Sequence, residues 1–222
     1  MKKIVIPILI AISTMGTAFA DITAQSGVYI GGGLGWSFPA APNVDQVKNT
    51  NKAQAISKAN HNYTFQGTLG YNYAFTTHWM AGLEANYLYM GQTTYYYPFN
   101  IVSTTAQNSG IQIMATGTYV HSSGFNEFAK VGAVYEDTKM TDSIYYFFPG
   151  GLQYVDSGGA HTGFLPAAAL GVGYMPIQDL NIALQYEHIF GGDWANPSQI
   201  NQPMTQDVVT IGITYTFPNF PR

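Results

Sequence analysis

The chain has 222 residues, of which 9% are charged and 15% aromatic, with a net charge of −4 and no cysteine. Charge this sparse, where a soluble domain carries about 25%, means that much of the folded surface faces something other than water. The missing cysteines exclude disulfides, thiolate metal sites and cysteine nucleophiles, and the absence of a basic stripe excludes nucleic acid as a partner.

Residues 1–20 read as an export signal. Lys2 and Lys3 form a positive start, Ile4 to Ile12 an apolar stretch, and Ala18-Phe19-Ala20 a small-residue cleavage site, the three parts of a secretory leader. The expected mature domain is 21–222. Losing Lys2 and Lys3 moves its net charge from −4 to −6. Past the leader no apolar run reaches the roughly 18 residues of a spanning helix.

The rest alternates with a period of two. From Gly27 to Phe38, Val28, Ile30, Leu34, Trp36 and Phe38 share one face, while Tyr29, Gly31, Gly33, Gly35 and Ser37 share the other, which predicts a long strand. The pattern returns at His61 to Phe75, Trp79 to Met90, Ile111 to His121, Glu127 to Glu136, Gly163 to Met175, Leu180 to Phe190 and Asp207 to Phe217. Connections alternate in length. Thr76 to His78, Ser122 to Asn126 and Pro176 to Asp179 are short; Pro39 to Asn60, Gly91 to Gly110, Asp137 to Thr162 and Gly191 to Gln206 are long. An up-and-down meander whose two ends differ in this way is what outer-membrane barrels show.

Volume decides which face points outward. An eight-stranded barrel has an interior just wide enough for ordinary side chains, too narrow for all the Tyr, Phe and Trp on the apolar faces. Those faces therefore meet lipid, and the Gly, Thr, Gln and Asn faces line a narrow polar lumen. The outward aromatics gather at the strand ends in two girdles: Trp36, Phe38, Tyr63, Phe65, Tyr87, Tyr89, Tyr135, Phe164 and Tyr186 toward the long connections, and Tyr71, Tyr73, Phe75, Trp79, Tyr119, Tyr174, Tyr215 and Phe217 toward the short turns. Such belts mark the two headgroup layers. Pro166 is a misfit, on the lipid face in mid-strand. The fold class read from these features is all-β, an eight-stranded antiparallel up-and-down transmembrane barrel, located in the bacterial outer membrane.

Thr210, Gly212, Tyr215 and Phe217 have the spacing of the β-signal read by the barrel-assembly machinery. With Phe128 to Ala133 and Leu165 to Tyr174, they make the mature chain resemble the OmpA-like and opacity-protein superfamily of eight-stranded barrels. Members often end on the aromatic, whereas Pro218 to Arg222 follow here. The resemblance implies a monomer in contact with outer-membrane lipid and lipopolysaccharide.

Few charges fall in the strands: Glu84, Lys130 and Glu187 on lumen parity, with Glu127 and Glu136 near strand ends. A lone buried charge is costly, so Lys130 is expected to bridge Glu84 and Glu187, with Gln66, Asn86, Gln112 and Gln185 completing the hydrogen bonds of a polar plug. No enzyme is expected. His121-Ser122-Ser123 has the H-x-S spacing of lipid A deacylases but falls in a short turn, and His161 with Asp156 and Ser157 follows no motif. His61, His78 and His188 are dispersed, so neither a metal nor a cofactor is expected. In the long connections, Asp45 against Lys48, Lys52 and Lys58 offers positive charge to lipopolysaccharide phosphates. Tyr95 to Phe99 and Ile144 to Phe148 carry aromatics, read as strand extensions packed together or as a binding surface for a host or envelope partner. The expected function is structural or surface-interacting; the alternative is a narrow pore, or a transporter of small apolar ligands like the OmpW-like barrels.

Overall fold

The computed structural model describes residues 21–39, 57–96, 102–148, 151–191 and 205–218. The expected leader, the Asp45, Lys48 and Lys52 cluster and Tyr97 to Phe99 lie outside these residues. The strands are β1 (Gly27–Pro39), β2 (Ser57–His61), β3 (Tyr63–Ala74), β4 (Trp79–Tyr96), β5 (Val102–Val120), β6 (Phe125–Phe148), β7 (Gly151–Ile177), β8 (Leu180–Ile189) and β9 (Gln206–Pro218). Every pairing is antiparallel and each strand from β3 onward pairs with the next, while β1 pairs with both β3 and β9. The sheet therefore closes. β2 and β3 are one stave broken at Asn62, and among the described residues its upper piece pairs with β4 alone, so nine strands make a closed barrel of eight staves.

The alternation sorts side chains between lipid and lumen. Val28, Ile30, Leu34, Trp36 and Phe38 are exposed outward, as are Leu69, Leu83, Ile113, Val131, Leu170 and Ile211. Both girdles form on the outer wall, with pairs such as Trp36 and Tyr63 at the long-connection end and Trp79 and Tyr119 at the short-turn end. The ring of Tyr29 turns inward, as its place opposite Val28 and Ile30 in the alternation implies, and so does that of Phe128. Each is accommodated by a glycine facing it: a Cβ on Gly70 would overlap the Tyr29 ring, and one on Gly171 would overlap Phe128.

The short turns lie where the sequence places them. Gly124 closes the β5–β6 turn at φ +85°. Pro166 is accommodated. Its carbonyl accepts Phe190 N on the β8 side at 2.9 Å, and a strand residue's N–H and C=O point the same way, so its missing donor also faces β8. Pairing with β8 ends at the next residue, Ala167, so Pro166 deletes no bond of the β6 ladder.

The long connections required correction. Gly91 to Gly110 and Asp137 to Thr162 are largely strand, carrying β4 and β5 on to Tyr96 and Val102, and β6 and β7 on to Phe148 and Gly151. Outside the membrane both faces of a strand meet water, so the lipid-driven alternation stops while the ladder continues. Beyond the Tyr135 and Phe164 pair, thirteen register pairs run from Glu136↔Gly163 to Phe148↔Gly151, roughly 40 Å of hairpin at the usual rise per residue. Where β4 leaves the wall, Gly91 at φ +79° supports a register shift between Tyr89 and Gln92, the bulge by which a strand bends.

Candidate functional site

The lumen has three levels. At the short-turn end, residues 21–26 cross the mouth as a strap. Ile22 N bonds Ser122 O at 3.2 Å, Ala24 N bonds Thr77 O at 2.8 Å, Gln178 Nε2 donates to Thr23 O at 2.6 Å, and Ser26 Oγ accepts Ala74 N at 2.8 Å. This seats the Ile22 side chain against Val120 and Met175.

Above the strap lies a polar chamber around Glu84, with a cavity of about 90 Å³ lined by Tyr29, Glu84, Thr116, Thr118, Lys130 and Gln185 among others. Lys130 Nζ contacts Glu84 Oε1 at 2.8 Å and Oε2 at 3.0 Å, and sits 5.0 Å from the Phe128 ring centre. Tyr29 OH donates to Glu84 Oε2 at 2.9 Å and Asn86 Nδ2 to Oε1 at 2.9 Å. The expected direct bridge is corrected here: among the described residues Lys130 contacts Glu84 and makes no ion pair with Glu187. Glu187 instead receives the amides of Gln112 and Gln185, the latter at 3.0 Å. The two carboxylates communicate through Asn86, which also donates to Gln112 Oε1 at 2.9 Å. Gln66 lines the cavity but is not among the groups bonded to either carboxylate. Two amide donors suit Glu187 because it and Gln112 are fully enclosed, where an unpaired carboxylate oxygen is expensive.

The third level departs from the expected polar lumen. Leu88, Met90, Met114, Val134, Leu165, Ile189 and Val208 pack with Ala167 and Ala169 into an apolar layer across the barrel. Of the two terminal acids, Glu136 points inward just above this layer and is fully buried, while Glu127 lies on the outer wall in contact with His121 at 3.8 Å.

His78 Nδ1 lies 2.9 Å from Val120 O, and His121, Ser122 and Ser123 form the β5–β6 turn. His161, Asp156 and Ser157 lie on β7, with His161 opposite Thr138. A cluster that no motif announces lies on the outer wall, where Asp207 Oδ1 accepts Tyr186 OH at 2.7 Å and lies 2.6 Å from His188 Nδ1. It depends on His188 facing Asp207 across β8 and β9, a register set across a long connection. Among the described residues no three His, Asp or Glu are grouped to hold a metal.

At the seam Thr210 and Gly212 face the lumen, and Tyr215 and Phe217 face outward with ring centres 5.0 Å apart. β9 runs on through Pro218. Residues 7–217 match the family described as Outer membrane protein beta-barrel domain. The chain belongs to that family. This protein is accordingly an integral β-barrel of the outer membrane, with its short turns on the periplasmic side and its long hairpins outside the cell.

The fold is similar to that of the attachment invasion locus protein Ail of Yersinia pestis, at 14% identity and TM-score 0.45 over 88% of this chain and 100% of that one. It is similar to OprG of Pseudomonas aeruginosa at 16% and 0.43, over 90% and 100%, and to the protease OmpT of Escherichia coli at 10% and 0.44, over 91% and 99%. No curated protein matches the sequence significantly.

Proposed function

We propose that this barrel is a non-catalytic surface-interaction protein, which holds an open sheet edge above the membrane for an extended segment of another protein to join. The observation that carries this reading is the upper part of β7. It pairs with β6 along its whole length from Gly151, but β8 joins it only from Ala167. Among the described residues nothing pairs with its other side from Gly151 to Leu165. An edge of that length, with its N–H and C=O groups in a row, is a template for strand addition. The layered lumen supports the same reading and opposes the alternative of a pore or small-ligand transporter, since the apolar layer and the strap both stand across the path.

Residues of even number on β7 turn their N–H and C=O toward the open edge, as Pro166 does. Gly158→Pro with Ala160→Pro therefore removes two edge donors and leaves the β6 ladder intact. Cells bearing the wild-type barrel should bind some members of a panel of immobilised matrix and serum proteins, and the double variant should lose that binding while keeping heat-modifiable gel migration. Binding that survives both prolines overturns the edge reading. A large steady conductance in planar bilayers overturns the closed lumen.

A further inference from the structure

Directly above the apolar layer, Glu136, Thr138 and Gln206 are each fully buried and Asn108 is nearly so. Thr138 Oγ1 donates to Glu136 Oε1 at 3.2 Å and Gln206 Nε2 donates to the same oxygen at 2.8 Å. Asn108 stands opposite Thr138 in the β5–β6 register, with Cβ atoms about 5 Å apart for such a pair. Three buried atoms of this group have no hydrogen-bond partner: Glu136 Oε2, Gln206 Oε1 and Asn108 Oδ1. All three are acceptors, so the cluster lacks donors, and its one carboxylate takes part in no ion pair among the described residues. Lys130 is no help, being six residues away on β6 and below the apolar layer.

We propose that these four residues form a binding site for a monovalent hard cation such as sodium. Carboxylate, amide and hydroxyl oxygens are the ligands that hard cations take. A single positive charge balances the single carboxylate, whereas a divalent ion would leave a net charge in a buried site, which is costly. Such an ion ties β9 to β5 and β6 at the level where the hairpins leave the membrane. It therefore braces the base of the projecting sheet, whatever that sheet binds.

The test uses the full barrel refolded in micelles, with its thermal unfolding midpoint followed at constant ionic strength as sodium chloride replaces N-methylglucamine chloride. The midpoint should rise saturably with sodium in the wild type, and Glu136→Gln should abolish the rise. Asn108→Ala, which keeps the carboxylate, should weaken the apparent sodium affinity about tenfold and serves if Glu136→Gln does not fold. Broadening of the sodium NMR line by the wild-type barrel, reversed by excess potassium, would report the ion itself. Equal wild-type midpoints in the two salts would overturn the site and leave Glu136 as a protonated carboxyl that donates to Gln206 or Asn108. A rise produced by calcium and not by sodium would overturn the monovalent assignment.

Discussion

Replacing Lys130 with Met removes the ammonium while keeping a stem of similar length beside Phe128. Glu84 then loses the one cation it contacts among the described residues but keeps the Tyr29 hydroxyl and the Asn86 amide, both at 2.9 Å. Breaking a buried ion pair from one side costs about 3 to 5 kcal/mol. The Lys130 side chain is 13% exposed beside a cavity able to hold water, so the lower end applies, about 3 kcal/mol. At a urea slope of about 2 kcal/mol/M this moves the unfolding midpoint of the barrel in micelles down by about 1.5 M. Adding Glu84→Gln should recover about 2 kcal/mol, since the uncompensated charge is gone. Because Glu187 is bonded to amides and not to Lys130, the double-mutant cycle between Lys130 and Glu187 should show a smaller coupling than the about 2 kcal/mol expected for Lys130 with Glu84. Equal midpoints for Lys130→Met and wild type, or equal coupling to both acids, would refute this account of the chamber.

Gly70→Val forces a side chain into the Tyr29 ring and should cost at least about 2 kcal/mol in the same urea assay, with partial rescue by Tyr29→Ala. Ile22→Asp should unseat the strap. Since the native chain has no cysteine, a Thr118→Cys probe in the chamber should then react at least about tenfold faster with a hydrophilic thiol reagent, because the strap's few hydrogen bonds, without the Ile22 anchor, open at modest cost. Pro166→Ala should shift the midpoint by less than about 1 kcal/mol, whereas Leu165→Pro, which removes a donor to β6, should cost about 3 kcal/mol or more. Phe217→Ala should slow assembly into the outer membrane, read as the fraction of heat-modifiable protein after a pulse of synthesis, if the Thr210, Gly212, Tyr215 and Phe217 pattern is the signal the assembly machinery reads.

The wall of the barrel was legible because lipid and lumen demand opposite chemistry of neighbouring residues. Wherever that contrast held, as from Val28 to Phe38, alternation gave the strand and its facing. It failed where both faces are apolar: Leu88, Met114 and Val134 have lumen parity, yet beside Tyr87, Ile113 and Tyr135 they produce no contrast, and the apolar layer stayed hidden. It failed again where both faces meet water, which is why the upper halves of β6 and β7 read as a loop. Glu84 and Lys130 could be picked out as inward charges on neighbouring parts of the meander. Which acid the lysine reaches depends on tilt and register around the closed wall, and the facing of His188 and Asp207 depends on a register set across a long connection. The inward facing of Tyr29 follows from parity, but the glycines that make room for it and for Phe128, Gly70 and Gly171, are fixed only by register between staves.

The seam between β1 and β9 runs unbroken through thirteen pairs, from Gly27↔Pro218 to Pro39↔Gln206. These are the two ends of the barrel sequence, so its closure is the most non-local event in folding and waits on the greatest loss of chain entropy. Once made, it leaves no terminal stave in the membrane that can peel away alone, because parting the seam exposes a row of backbone groups to hydrocarbon. Survival at the cell surface is therefore governed by how rarely the ring opens, a lifetime more than an equilibrium free energy. Heating and cooling curves of the embedded barrel should accordingly fail to retrace one another.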